Sequence, residues 1–220
     1  MSSKHGPAQI PDEHYPTPAW LVDRLLEAVD LPGGHWLEPS AGDGAIIRAV
    51  NARRQDVQWT AVELRPMRSA LLCAAVDATG KTPAEAYKPP IVHSPQDFLT
   101  LPLSPKTVEI TRFAFDVAIG NPPYSLAREF IDRCLCLAAV VVFPLRLNFL
   151  GSEARADWFR KIGMPDVFVT PNRPDYSGNG GDSCEYSWML WNQVQPARAA
   201  QVRLLATTPR AVRVAQKPGR

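Results

Sequence analysis

Residues 138–143, Ala-Ala-Val-Val-Val-Phe, are apolar at every position. A strand with one face in water alternates polar and apolar side chains. An unbroken run of this kind suits a strand buried on both faces, the situation of a parallel sheet with helices packed above and below it. The rest of the chain supplies the alternation such a sheet needs. Further β-rich runs lie at 35–38, 57–64, 90–93, 115–119, 167–169 and 184–191, and helical patterns fall between them. From Pro18, the residues Trp20, Leu21, Leu25, Ala28 and Val29 lie opposite Asp23, Arg24 and Glu27. This predicts a helix with Thr17 as N-cap, Pro18 in its first turn and Gly33-Gly34 beyond its end. Helices are also expected over 45–54, 66–76, 125–137 and 152–162, and loops over 77–90 and 171–183. The expected fold is a single α/β domain with a doubly wound, mostly parallel, seven-stranded sheet. Residues 1–17 read as an N-terminal arm, 18–195 as the domain, and 196–220 as a basic tail.

At 220 residues the chain can bury a substantial core in one domain. With 45% hydrophobic and 21% charged residues it has an ordinary globular composition. No apolar run reaches spanning length and the N-terminus lacks a signal-peptide pattern, so a cytoplasmic protein with no membrane partner is expected. Cys73, Cys134, Cys136 and Cys184 lack zinc-ligand spacing, and buried reduced thiols with no metal are expected. The net charge of +2 says little about partners, but its distribution says more. No acidic residue follows Glu185, whereas Arg198, Arg203, Arg210, Arg213, Lys217 and Arg220 do. Such a segment suits contact with phosphates or a solvated basic terminus.

Two strand ends carry the chemistry. The run 115–119 leads into Gly120-Asn121-Pro122-Pro123-Tyr124, at the carboxyl end of a strand, where open α/β sheets bind ligands. Each proline removes a donor and fixes the backbone, which favours free carbonyls at Asn121 and Pro122. The amide oxygen of Asn121, one of those carbonyls and the ring of Tyr124 are two acceptors and a stacking face, suited to a planar group bearing a neutral amine. The first strand-to-helix turn is Leu37-Glu38-Pro39-Ser40-Ala41-Gly42-Asp43-Gly44, whose glycines permit a tight turn and close approach to a ligand. It lacks the third glycine of a dinucleotide site and the Gly-Lys-Ser/Thr of a P-loop. Glu63 follows about 20 residues later at the end of the second strand, where a carboxylate can accept from ribose hydroxyls.

The Asn121–Tyr124 loop resembles the catalytic loop of the S-adenosylmethionine-dependent amino-group methyltransferases, above all the DNA adenine-N6 enzymes. The 38–44 turn matches their Glu-Pro-x-x-Gly-x-Gly cofactor loop, and Tyr15-Pro16-Thr17-Pro18 matches the Tyr-x-Thr-Pro often found before their first helix. The resemblance covers residues 15 to about 145 and implies a Rossmann-like class I methyltransferase fold with S-adenosylmethionine as cofactor. It places Tyr15 and Thr17 at the methionine end of the cofactor, and Glu38, Ala41, Gly42 and Gly44 in its loop. Glu63 falls on the ribose, Asp97 on the adenine amino group, and Phe98 or Leu64 against the adenine ring. Asn121, Pro122, Pro123 and Tyr124 form the catalytic loop. The later part, from Asn172-Arg173-Pro174-Asp175-Tyr176 to Tyr186-Ser187-Trp188, is similar to a segment of small phage and prophage adenine methyltransferases.

The implied reaction is methylation of adenine N6 in double-stranded DNA, with the base flipped onto Tyr124. Tyr176, Tyr186 or Trp188 would close the other face, and Arg198 and Arg203 would contact DNA. Glutamine-N5 methylation of a protein, RNA adenine methylation and a catalytically silent DNA-binding module of the same fold are the alternatives. Cytosine-N4 enzymes usually carry Ser in place of Asn121.

Overall fold

A computed structural model describes residues 15–66, 72–75, 91–103, 113–176, 184–195 and 199–216. Its strands are β1 (Gly34–Glu38), β2 (Val57–Val62), β3 (Ile91–His93), β4 (Phe115–Ile119), β5 (Ala138–Arg146), β6 (Asp166–Thr170), β7 (Tyr186–Asn192) and β8 (Val202–Leu204). They form one sheet in the order β3-β2-β1-β4-β5-β7-β6-β8. Only β7 runs against its neighbours, β5 and β6. The remaining pairings are parallel. The helices are α1 (Ala19–Ala28), α2 (Ala45–Asn51), α3 (Ala127–Leu137), α4 (Glu153–Ile162) and α5 (Arg210–Ala215), and residues 72–75 are helical as well.

The run that opened the sequence reading shows why the sheet is covered on both sides. Val140 and Val142 of β5 pack into one core with Leu21 and Leu25 of α1 and Ile46, Ile47 and Val50 of α2. Val141, Phe143 and Leu145 point the other way, into a core with Phe130, Ile131 and Cys134 of α3 and Trp158 and Phe159 of α4. The period of two along a strand divides an all-apolar sequence between two helical layers. No helix among the described residues is long and apolar enough to cross a membrane.

Several details depart from the sequence reading. Among the described residues the sheet has eight strands, where seven were expected. Val202–Leu204, assigned to the tail, pairs in parallel with β6 through Val167↔Val202 and Val169↔Leu204. Three residues with Arg203 at their centre are too short a run to register as a strand, and pairing with β6 makes one. β5 runs on through Pro144 to Arg146, although proline argues for a strand end. Its ladder with β4 stops at Val142, so Pro144 lies beyond it, and pairing continues with β7 through Pro144↔Trp188, Leu145↔Ser187 and Arg146↔Tyr186. Thr17 does not cap α1; Pro18 occupies that position with no side-chain cap. Of the thiols, Cys134 is buried, Cys184 is half-buried, and Cys73 and Cys136 are exposed.

Candidate active site

β1 and β2 end side by side, and the turn after β1 is held by backbone contacts. Gly42 and Gly44 have φ of 57° and 80°, the left-handed region that favours glycine. The Ala41 N–H donates to the Val62 carbonyl at 2.9 Å, and the Gly44 N–H donates to the Ala41 carbonyl at 2.8 Å. A Cβ on Gly44 would lie 2.6 Å from that of Ala75, so this position is closed to larger residues on two counts. Glu63 is buried and accepts from the Gly42 N–H at 2.7 Å and the Arg65 N–H at 2.8 Å, one bond on each carboxylate oxygen. It therefore pins the turn, and each oxygen keeps lone-pair capacity for a further donor.

Tyr15, Thr17, Glu38, Ala41, Gly42, Glu63, Leu64, Asp97, Phe98, Asn121 and Pro123 line one cleft at these strand ends. Four buried polar atoms in its lining have no hydrogen-bond partner: Thr17 Oγ1, Glu38 Oε2, Ser40 Oγ and Asp43 Oδ1. Each such atom costs about 1–3 kcal/mol when left unpaired, so their convergence marks a place for a polar ligand that can donate to them. Burial, reinforced by the neighbouring charges of Asp43 and Glu63, holds the Glu38 carboxyl well above the usual carboxylate range. A cation arriving beside it would favour the ionised form. Leu64 is 64% exposed, an apolar surface at the cleft. Phe98 is nearly fully buried, 5.2 Å from the ring of Phe130. The exposed Asp97 accepts from the Leu99 N–H at 2.9 Å through Oδ1.

The loop after β4 meets the same cleft. A Cβ on Gly120 would approach Pro39 Cδ to 3.0 Å, so the two loops are in close apposition. Asn121 is half-buried, and its Nδ2 donates to the Tyr15 carbonyl at 3.1 Å across 106 residues of sequence. That bond fixes which end of the amide is which and leaves Oδ1 as the acceptor. Pro122 is buried, and the Pro123 carbonyl accepts from the Leu126 N–H at 2.9 Å, closing the turn that leads into α3. The half-buried Tyr124 has its ring 6.0 Å from that of Tyr186, and its hydroxyl is buried and makes no hydrogen bond of standard geometry. Burial, with the phenols of Tyr176 and Tyr186 close by, raises the Tyr124 hydroxyl well above the ordinary range and keeps it neutral.

No family model matches the sequence. It is 30% identical over 156 residues to a malonyl-[acyl-carrier protein] O-methyltransferase of Alcanivorax borkumensis, an alignment covering 71% of this chain and 49% of that protein. The chain thus spans about half the length of the curated relative it matches. Among solved structures it superposes with a TM-score of 0.56 on a Listeria monocytogenes protein assigned to the class I S-adenosylmethionine-dependent methyltransferases. That match has 16% identity and covers 90% of this chain and 66% of the other. It also superposes with a TM-score of 0.56 on the methyltransferase subunit of a type I restriction-modification system from Streptococcus thermophilus, at 17% identity over 91% of this chain and 50% of the subunit. The fold is that of a class I methyltransferase.

Within that fold the remaining expected residues separate. Tyr176 and Tyr186 are buried and form an arc of rings with Tyr15 and Tyr124. Tyr15 lies 6.1 Å from Tyr176, and Tyr176 lies 5.3 Å from Tyr186. This arc backs the Asn121–Tyr124 loop at both ends. Trp188 is different. It is fully buried and donates its indole N–H to the Leu21 carbonyl at 3.0 Å, so it joins the sheet to α1 and has no surface to offer a base. Arg203 stands on β8, four positions along the sheet from β4, with its guanidinium 5.8 Å from the Phe168 ring centre. It does not reach the cleft, because β5, β7 and β6 intervene. Arg198 lies outside the described residues.

Sequence reasoning missed Arg146. Its Nε donates to the Tyr186 hydroxyl at 3.1 Å, and its guanidinium carbon lies 5.2 Å from the ring centre of Tyr124. The available signal was a charged residue just past an apolar strand, at the ligand-binding end of the sheet. Pro144 concealed it by suggesting an earlier strand end.

Proposed function

We propose that the chain binds S-adenosylmethionine in this cleft and methylates the exocyclic N6 amine of adenine in double-stranded DNA. The observation that carries the reading is the hydrogen bond from Asn121 Nδ2 to the Tyr15 carbonyl, which leaves the side chain an acceptor toward a substrate. An amine with two protons is a donor and suits it. A carboxylate, the kind of group an O-methyltransferase esterifies, would set acceptor against acceptor.

The residues present fit the cofactor. The remaining lone pairs of Glu63 suit the ribose diol, and the exposed face of Leu64 suits the adenine ring. The unpartnered oxygens of Thr17, Glu38, Ser40 and Asp43 suit the ammonium end. When bound, S-adenosylmethionine supplies a methyl group on a positively charged sulfur. Asn121 Oδ1, with a backbone carbonyl of the loop, accepts from the target amine. Acceptance at both protons draws the nitrogen toward a pyramidal geometry and stabilises the charge that develops on it, so the contribution is alignment and fixed dipoles. Tyr124 offers a ring on which an extruded base can stack. Extrusion costs a few kcal/mol, which that contact helps to offset.

Methyl transfer to RNA adenine or to a side-chain amide would use the same acceptors. Supplying tritiated cofactor with separate DNA, RNA and protein pools, followed by nucleoside and amino-acid analysis, tests the proposal. Label recovered as N6-methyladenine from DNA is the expected result. Label in a carboxyl ester or a glutamine side chain would overturn it, and cofactor binding without transfer to any pool would point to a silent module.

A further inference from the structure

We propose that Arg146 is a positioning residue on the substrate side of the cleft, holding the Tyr124 ring so that one face is backed and the other is presented to the base; this rests on the adenine reading above. The Tyr124 hydroxyl is buried beside the phenols of Tyr176 and Tyr186 and makes no hydrogen bond of standard geometry. Its orientation therefore depends on what packs against it. Beside the core side chains it adjoins, these are the Tyr186 ring at 6.0 Å and the Arg146 guanidinium, whose carbon is 5.2 Å from the Tyr124 ring centre. The same guanidinium carbon is 6.0 Å from the Tyr186 ring centre, and Arg146 Nε donates to the Tyr186 hydroxyl at 3.1 Å. A single cation thus touches both rings and is bonded to one of them.

The backbone sets this up. Arg146 and Tyr186 are directly paired residues at the end of the β5–β7 ladder, so the guanidinium starts from a fixed point on the sheet. A planar guanidinium over an aromatic face gains from the ring quadrupole while keeping its edge free for hydrogen bonds, which an ammonium group does less well. Arg146 in this arrangement acts through Tyr124 and has no part in the transfer step. Loss of the clamp lets the ring turn, and the cost falls on capture of an extruded base. The cofactor pocket, built on β1 and β2, is untouched.

The test compares wild type with Arg146→Met, which keeps an apolar stem and removes charge and donor, and with Arg146→Lys. Each is assayed on duplex DNA with the target adenine paired, and on the same duplex with that adenine opposite an abasic site. Cofactor affinity is measured by calorimetry. Arg146→Met should lose about tenfold in kcat/KM on the paired target and recover most of it on the unpaired one, with cofactor affinity unchanged. Arg146→Lys should fall between, because it keeps charge near the ring but loses the fork. Tyr186→Phe, which removes the same hydrogen bond from the other partner and keeps the ring, should show the paired-against-unpaired contrast in weaker form. Equal losses on both substrates, unchanged activity on the paired target, or a parallel loss of cofactor affinity would overturn the positioning role. If the wild-type protein transfers no methyl group to adenine, the functional reading itself fails and the inference falls with it. A wild type active on adenine whose variants lack the contrast overturns the inference alone.

Discussion

On the β1–β2 side of the cleft the bonds that set the geometry are local and use the backbone. Ala41, Gly42 and Gly44 form a tight turn bonded to the Val62 carbonyl of β2, and one carboxylate, Glu63, is anchored by two N–H groups. On the β4–β5 side the geometry comes from side chains of distant segments. Tyr15 holds Asn121, Tyr176 and Tyr186 back the loop, and Arg146 rests on Tyr124. Under the proposed function, the first arrangement would present fixed acceptors to a cofactor of constant structure. The second would place a few aromatic and polar side chains around the methyl acceptor. A scaffold that keeps one half rigid can vary the other, which is how one fold comes to host different methyl acceptors.

Changes on the two sides should therefore separate in binding and in turnover. The largest effect is expected from Asn121→Ala, which should lower single-turnover methyl transfer by roughly 100- to 1000-fold while leaving cofactor affinity intact, as for loss of one preorganised polar group. An active variant would sink the acceptor mechanism. Glu63→Ala should do the opposite, weakening cofactor binding by about 1.5–3 kcal/mol in titration calorimetry, the usual worth of hydrogen bonds to a charged group. Because Glu63 also pins Gly42 and Arg65, Glu63→Gln should recover only part of the loss. Unchanged affinity in Glu63→Ala would remove this residue from the site.

Tyr124→Ala should lose about 1–3 kcal/mol of productive base binding, with partial rescue when the target adenine is already unpaired. Tyr124→Phe should remain close to wild type, since it keeps the ring and removes a hydroxyl that makes no hydrogen bond of standard geometry. Equal losses on duplex and unpaired DNA would return Tyr124 to a packing role.

The smallest effect is a pH dependence on the cofactor side. Burial raises the Glu38 carboxyl in the folded protein above its unfolded value. Its neutral form is the one the fold tolerates, so its contribution to stability is fully present below the ordinary carboxylate range. That contribution is lost as pH rises through the raised folded value. Denaturant midpoints of the cofactor-free protein should fall across that interval, and Glu38→Gln should flatten the slope. If the cationic end of the cofactor lies beside Glu38, binding within the interval should release a proton. Calorimetry in buffers of different ionisation enthalpy would measure this, and proton-neutral binding would place the cation elsewhere.

The amino-acid order alone determined the alternation of strand and helix, the two-sided burial of 138–143 and the position of both loops at strand ends. It did so because these follow from short-range rules: hydrophobic period, proline and glycine geometry, and the placement of turns. It also determined the Gly42–Glu63 half of the cleft, whose members lie close in sequence and need only adjacent parallel strands to meet. The tertiary structure decided what depends on distant neighbours. It made Trp188 a core residue bonded to α1, put Arg203 at the far edge of the sheet and drew an eighth strand onto β6. It turned the amide of Asn121 by means of a carbonyl 106 residues away, and it carried β5 past a proline to set Arg146 against Tyr124. Those outcomes depend on which segments become neighbours in the sheet and which partners wait there, and neither is written in the local sequence of the residues concerned.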